Sequence, residues 1–413
     1  MTEESTIPVP QSVDELGILR SSLEQLTLKL LFLASELTMD KLARQLRLRL
    51  DVVNEVFQSL RKAELCEVKG MVGGGVYRIA ITQQGKSRAL EFLALNQYTG
   101  PAPVSLKDYV TRVRAQSVMN FPATQALVDQ AFSHLVLSSR ILKQLGSAVV
   151  SGTSIFLYGP TGTGKTSIAE AIPSIYNDRI WIPYAVEVDS QIITVFDPVI
   201  HKVEEGSEGS DARWVPCRRP RVVVGGELSI EMLDLQFHPV SKFYAAPLQM
   251  KANNGALIVD DFGRQRIRPE ELLNRWTVPL DRRIDFLTLL GGRKLEIPFD
   301  AFVVFATNLD PAKLADDAFL RRIQNKIKID NLDRDDFHHV FERLCKRLDL
   351  KFEPNLVDYL EDLVTTDWKQ PLRPCLPQDL VNHVLWTAQF EGETPRLDRE
   401  TLGEACRAYF LGP

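Results

Sequence analysis

The stretch Gly159-Pro160-Thr161-Gly162-Thr163-Gly164-Lys165-Thr166-Ser167 leaves the chain little choice of local fold. It follows an apolar run, Ser154-Ile155-Phe156-Leu157-Tyr158, and leads into Ile168-Ala169-Glu170-Ala171-Ile172, which reads as helix. Strand, glycine-rich loop and helix, in that order, are the setting that the pattern G-x-x-x-x-G-K-[ST] requires. Glycines let the backbone curl so that successive N–H groups point inward at phosphate oxygens. A helix opening near Lys165 adds its positive end to the same target. Lys165 is placed to reach the β- and γ-phosphates as a point charge, and Thr166 to offer a hydroxyl to Mg²⁺. The expectation is a nucleoside triphosphate site, taking ATP and Mg²⁺, with residues 159–167 around the phosphates.

Composition narrows the rest. With 413 residues, 45% hydrophobic and 25% charged, the chain has the make-up of a globular protein of two or three domains. A net charge of −5 means that any contact with nucleic acid needs a local basic patch. The five cysteines (Cys66, Cys217, Cys345, Cys375 and Cys406) show no zinc-ligand spacing and read as free thiols in a reducing compartment. The histidines show no metal pattern either, and His338-His339 reads as surface. The first residues lack the apolar core of a signal peptide, and no run is long enough to span a membrane. A cytoplasmic protein is expected.

Residues 1–14 are polar and proline-bearing, and are expected as a flexible tail. Residues 15–95 show three helical stretches (near 23–33, 39–46 and 50–65), two short extended runs joined by a glycine-rich tip, and a closing helix to residue 95. This order resembles a winged helix-turn-helix domain. In such a domain the third helix can enter a DNA groove. Here that helix carries Asp51 and Glu55 beside Arg61 and Lys62, and the wing tip is glycine. Because phosphate contacts dominate DNA affinity, protein docking is favoured over DNA binding for residues 15–95. Residues 96–105, NQYTGPAPVS, read as a linker.

Further motifs follow the phosphate loop. Ala256-Leu257-Ile258-Val259-Asp260-Asp261 is an apolar strand ending in two carboxylates, and resembles a Walker B segment. Asp260 is the candidate for holding Mg²⁺ and Asp261 for polarising the attacking water. Many relatives use glutamate at the second position, so the shorter aspartate points to slower turnover. Ala301-Phe302-Val303-Val304-Phe305-Ala306-Thr307-Asn308 is similar to the sensor 1 strand of AAA+ ATPases, with Asn308 as the water-positioning residue. Asp316-Asp317-Ala318-Phe319-Leu320-Arg321-Arg322-Ile323 resembles that family's arginine-finger segment, with Arg322 ahead of Arg321. Four helical stretches after residue 331 resemble the family's lid. Where a sensor 2 arginine would stand the chain has Gln378, and Arg373 is the candidate substitute.

The resemblance to AAA+ ATPases covers residues 106–413. It implies an α/β core with a parallel sheet at 106–330, an α-helical lid at 331–413, and a ring or spiral homo-oligomer, hexameric in many relatives. The stretch between the first core helix and Ala256 is longer than a minimal core needs. Residues 180–186 are expected to supply the second core strand, and 201–245 an exposed insertion for target contact. Basic residues at 264–268 and 282–283 are expected near the active edge. No protease or nuclease motif is present, nor the GAFTGA loop of activators that work with an alternative sigma factor. The favoured function is an ATP-hydrolysing machine that remodels a protein partner. The alternatives are a nucleotide-gated DNA-binding regulator and a low-turnover ATP-binding scaffold.

Overall fold

A computed structural model describes residues 6–72, 76–206, 209–314 and 320–410. Helix α1 (Arg20–Ala34) buries Leu23, Leu26 and Leu30 at helical spacing. Strand β1 (Glu36–Thr38) then leads to α2 (Met39–Leu46) and α3 (Leu50–Lys62), and α3 buries Val52, Val53, Val56, Phe57 and Leu60. Strands β2 (Cys66–Val72) and β3 (Val76–Ile81) form an antiparallel hairpin, with β1 on the far side of β3. Helix α4 (Gln83–Leu95) closes the unit, capped where Thr82 Oγ1 accepts from Gly85 N at 3.0 Å. The expected helices and hairpin are present, with β1 as an addition. The glycine tip, 73–75, lies outside the described residues.

The tail and the linker are both packed. From residue 6 onward, Ile7 is buried, its carbonyl accepting from Asp211 N at 3.1 Å, and Val13 N donates to Glu55 Oε2 at 3.2 Å. Residues 1–5 lie outside the described residues. In 96–105, Tyr98, Ala102 and Val104 are buried, Ala102 N donates to Leu46 O at 2.9 Å, and β4 (Val104–Ser105) joins a sheet. The prolines and glycine that suggested a linker instead make a strap.

Helices α5 (Leu106–Ala115), α6 (Gln125–Ala131) and α7 (Ser139–Ser151) precede β5 (Ile155–Tyr158), the phosphate loop and α8 (Lys165–Ala171). Next come β6 (Arg179–Pro183), β7 (Ala185–Val188), β8 (Gln191–Thr194), β9 (Trp214–Arg218), β10 (Arg221–Val224), β11 (Gln236–Phe237) and β12 (Tyr244–Ala245). After α9 (Leu248–Lys251) the chain forms β13 (Ala256–Val259), α10 (Pro269–Arg282) and the hairpin β14 (Ile284–Thr288) and β15 (Lys294–Pro298). Strand β16 (Phe302–Thr307), α11 (Pro311–Leu314) and β17 (Asn325–Lys328) complete the core.

The central sheet has the order β10-β13-β16-β5-β17, with every neighbouring pair parallel. Strands β13 and β16 are buried at every residue, as strands covered on both faces must be. The fold is thus the expected α/β class, a parallel sheet between helices followed by a helical lid. One expectation fails. The second core strand is β10, at 221–224, and not the apolar run at 180–186. That run supplies β6, paired with β9, and part of β7, which lies in a separate sheet of order β11-β12-β8-β7-β4. The additional material is therefore a folded β unit that begins near residue 179, ahead of the stretch 201–245.

This β unit shares a core with the N-terminal helices. Ala185 and Ile192 join the cluster of Leu23, Val53 and Phe57, and Phe243 packs edge-on to Tyr98. Asp211 and Arg213 form a buried ion pair at 2.8 Å, and Arg213 Nη1 also donates to the carbonyls of Leu16 (3.3 Å) and Pro103 (3.0 Å). The lid consists of α12 (Arg334–Arg347), α13 (Pro354–Asp362), α14 (Leu376–Glu391) and α15 (Arg399–Tyr409) around Phe337, Phe341, Leu360 and Leu380. All five cysteines are free. Among the described residues no helix is long and apolar enough to cross a membrane.

Removing one member of a buried, hydrogen-bonded ion pair leaves the other charge uncompensated. Asp211→Ala is expected to destabilise the N-terminal half by about 3–5 kcal/mol, read as a lower midpoint in urea unfolding followed by tryptophan fluorescence.

Candidate active site

The site is built where β5, β13 and β16 end. At Gly159 a Cβ would lie 2.0 Å from the carbonyl oxygen of Ile329, so only glycine lets the loop leave β5 this close to the end of β17. Gly164 precedes α8 at φ +82°, a left-handed turn that aims the helix start back into the loop. Thr163 is buried and its Oγ1 donates to Pro160 O at 2.9 Å, closing the curl. Lys165 Nζ donates to the carbonyls of Gly159 (3.0 Å) and Pro160 (2.6 Å). Partial burial pushes the Lys165 ammonium below its ordinary pKa, and the Asp260 and Asp261 carboxylates oppose that shift.

Thr166 Oγ1 donates to Asp260 Oδ2 at 2.9 Å, tying the first turn of α8 to the end of β13. A hydroxyl and a carboxylate held side by side are a hard-oxygen pair of the kind Mg²⁺ takes. Asp261 is exposed at φ +48°, a left-handed conformation that costs a non-glycine residue on the order of 1 kcal/mol. The turn is held by its neighbours: Gln265 Nε2 donates to Asp260 O at 2.7 Å, and Phe262 N to Ala306 O at 2.7 Å. Asn308, just after β16, donates from Nδ2 to Thr161 Oγ1 at 3.1 Å. Its Oδ1 is buried with no hydrogen-bond partner among the described residues.

These groups line one cavity of about 800 Å³, a volume suited to a mononucleotide. Residues 161–167, Asp260, Asp261, Thr307 and Asn308 form one wall. Leu135, Val136, Leu137 and Ile168 make an apolar wall, completed by Val340 and Leu344 of the lid. Gln378 also lines the cavity.

Two arginines that the sequence reading passed over line it as well. Arg343 and Arg347 share a face of α12 with Val340 and Leu344, at spacings of three, four and seven residues. Arg343 Nη1 donates to the carbonyls of Ser133 and Leu135, both at 2.9 Å, fastening lid to core. Arg347 donates to Gln378 Oε1. The signal for them was that helical spacing, which brings two cations onto an otherwise apolar stripe.

The arginine candidates stand elsewhere. Arg373 does not line the cavity; its guanidinium donates to Gln370 Oε1 at 2.8 Å, while its stem lies against Gly162. Arg321 and Arg322 line a separate surface cleft with Thr153, Ser154 and Asp281, and Arg322 Nε donates to Asp281 Oδ2 at 2.9 Å. Residues 315–319 of the finger segment lie outside the described residues. Of the basic residues at 264–268 and 282–283, Arg268 pairs with Glu271 at 2.6 Å, and Arg283 donates to Ala301 O at 3.0 Å. Neither faces the cavity.

Fold and site together make a parallel α/β core with a glycine-rich loop, two carboxylates across from that loop, and a helical lid. A family described as "Domain of unknown function (DUF8689)" matches residues 333–408, the lid. None of the curated proteins matches the chain. Among solved structures, the chain is similar to NtrX from Brucella abortus in complex with ATP, at 14% identity and a TM-score of 0.39, over 63% of this chain and 54% of that one. It is also similar to the RuvB Holliday junction branch migration motor of Thermotoga maritima, at 13% identity and a TM-score of 0.39, over 66% and 69%. The match thus spans little more than half of the NtrX chain. Likeness this remote leaves the site to be read from its own geometry.

Lys165→Ala removes the one ammonium in the loop. It is expected to weaken ATP binding by about tenfold or more, the worth of a charge-assisted contact. Titration with a fluorescent ATP analogue measures it, and unchanged affinity would overturn the phosphate-loop assignment.

Proposed function

We propose that this protein binds and hydrolyses Mg-ATP and uses the cycle to remodel a protein partner. The observation that carries the reading is the convergence of Lys165, Thr166, Asp260, Asp261 and Asn308 on one cavity closed by the lid. The loop backbone and Lys165 bind the phosphates. Thr166 and Asp260 hold Mg²⁺, which when bound neutralises charge on the phosphate oxygens. Asp261 orients the attacking water and accepts its proton, and the Asn308 amide fixes the water's position. In this reading Arg347, steadied by Gln378, is the lid's cation for the phosphates, and Arg343 keeps the lid docked while Leu135 to Leu137 cover the base.

Arg322 then serves a neighbouring subunit of a homo-oligomer, exchanging Asp281 for the neighbour's phosphate. Protein docking through residues 15–95 is favoured over DNA binding by the pairing of that unit's basic residues. Arg44 pairs with Asp40, Arg49 with Asp51 and Arg20 with Glu55, so part of the positive charge around α3 is already balanced within the unit. A DNA-stimulated ATPase rate would turn the reading towards a nucleotide-gated regulator. ATP binding without phosphate release would turn it towards a scaffold.

Arg322→Ala is expected to cut hydrolysis by about a thousandfold or more while leaving ATP affinity within a few-fold. Mixing it with Lys165→Ala subunits is expected to restore part of the rate, because an intact loop then meets an intact arginine. No recovery in a phosphate-release assay removes the case for action in trans. Arg347→Ala is expected to lower kcat by about tenfold; an unchanged kcat excludes Arg347 from phosphate contact.

A further inference from the structure

A second cluster lies in the lid. His338 of α12 and Asp358 and Glu361 of α13 bring their tips together: His338 Nε2 is 3.2 Å from Asp358 Oδ1 and 3.6 Å from Glu361 Oε1. The three atoms all lie within 4.8 Å of one another. Asp358 and Glu361 are three residues apart on one helix, and so face the same way. His338, expected from sequence to be plain surface, is only 25% exposed.

Glu361 is the informative member. Its side chain is 1% exposed, and Arg334 Nε approaches Oε2 at 3.6 Å from the outside. Oε1, turned towards His338, is buried and has no hydrogen-bond partner among the described residues. The imidazole cannot satisfy both acids, because Nε2 carries at most one hydrogen and Asp358 is the nearer acceptor. A buried carboxylate oxygen without a donor is costly, and a cation shared by all three groups removes that cost.

The two separations measured from the imidazole fit such a cation. Ligand atoms about 2.0–2.2 Å from a tetrahedral zinc stand roughly 3.3–3.6 Å apart, close to the 3.2 and 3.6 Å seen here. An imidazole with two carboxylates suits zinc and cobalt better than calcium or magnesium, which prefer all-oxygen shells. We propose that His338, Asp358 and Glu361 form a three-ligand site for a divalent transition metal, zinc in the first instance, with the fourth position open to water. The ion ties α12 to α13, on the same helix that carries Arg343 and Arg347. The site is separate from the nucleotide cavity and does not depend on how that cavity is used.

The test is a Zn²⁺ titration of the full chain, free of nucleotide and magnesium, against a chromophoric chelator, with Co²⁺ absorption as a second readout. One equivalent should bind, excess Mg²⁺ should not displace it, and Co²⁺ should give the visible bands of a tetrahedral site. His338→Ala and Asp358→Asn should each weaken binding by more than about tenfold, the least that losing even a supporting partner costs. Asp358 is 63% exposed, so its variant keeps the test valid should His338→Ala fail to fold. No stoichiometric binding, or an unchanged affinity in folded Asp358→Asn, overturns the site and leaves an ion pair between histidine and the acids.

Discussion

Burial of the central strands on both faces governs where the loop, the carboxylates and Asn308 can stand. Strand β13 admits no polar side chain, β16 admits none before Thr307, and β5 none before Tyr158. Polar positions begin only at the strand ends and just beyond them. Gly159, Asp260 and Asn308 stand there, brought to one edge because the strands are parallel. The hydrogen bond from Thr166 to Asp260 then crosses the edge from α8 to β13, passing the end of β16 between the two strands. A carboxylate elsewhere on these strands would have been buried without compensation.

The lid completes the site by a different logic. Its four helices close on their own apolar core, so α12 can spend one face on the cavity without weakening the bundle. Val340 and Leu344 extend the apolar wall and Arg343 and Arg347 add charge, all from one stripe of one helix. Gly162 meets the lid directly, with Cys375 and the stem of Arg373 against it. The loop that would hold phosphates and the body that would move are therefore in contact.

What the sequence disclosed follows from how each part is buried. The core strands around the phosphate loop were legible because unbroken apolar runs ending in polar residues are what doubly covered parallel strands look like. Strand β10 escaped notice because it is an edge strand, with Arg221 and Val223 facing outward, and so reads more weakly than Ile180-Trp181-Ile182. That stronger run belongs to a neighbouring sheet, which the family resemblance gave no reason to expect. The strap at 96–105 was misread because proline and glycine mark turns in exposed chain, while here Tyr98, Ala102 and Val104 are buried. Arg343 and Arg347 sit in a helix dense with charge, where only a partner's position separates a surface cation from one at a site. The two roles assigned to Arg322 and Arg373 from sequence rest on family position, and both side chains lie outside the cavity.

The shared core of the N-terminal helices and the β unit bears on how force would travel. Tyr98 against Phe243, Ala185 and Ile192 among the helices, and Arg213 holding Leu16 and Pro103 make one continuous solid of two segments far apart in sequence. A domain on a flexible tether swings freely and reports nothing of its neighbour's motion. This one is bolted on, so a rotation of the β unit would carry α3 and the hairpin with it as a lever arm.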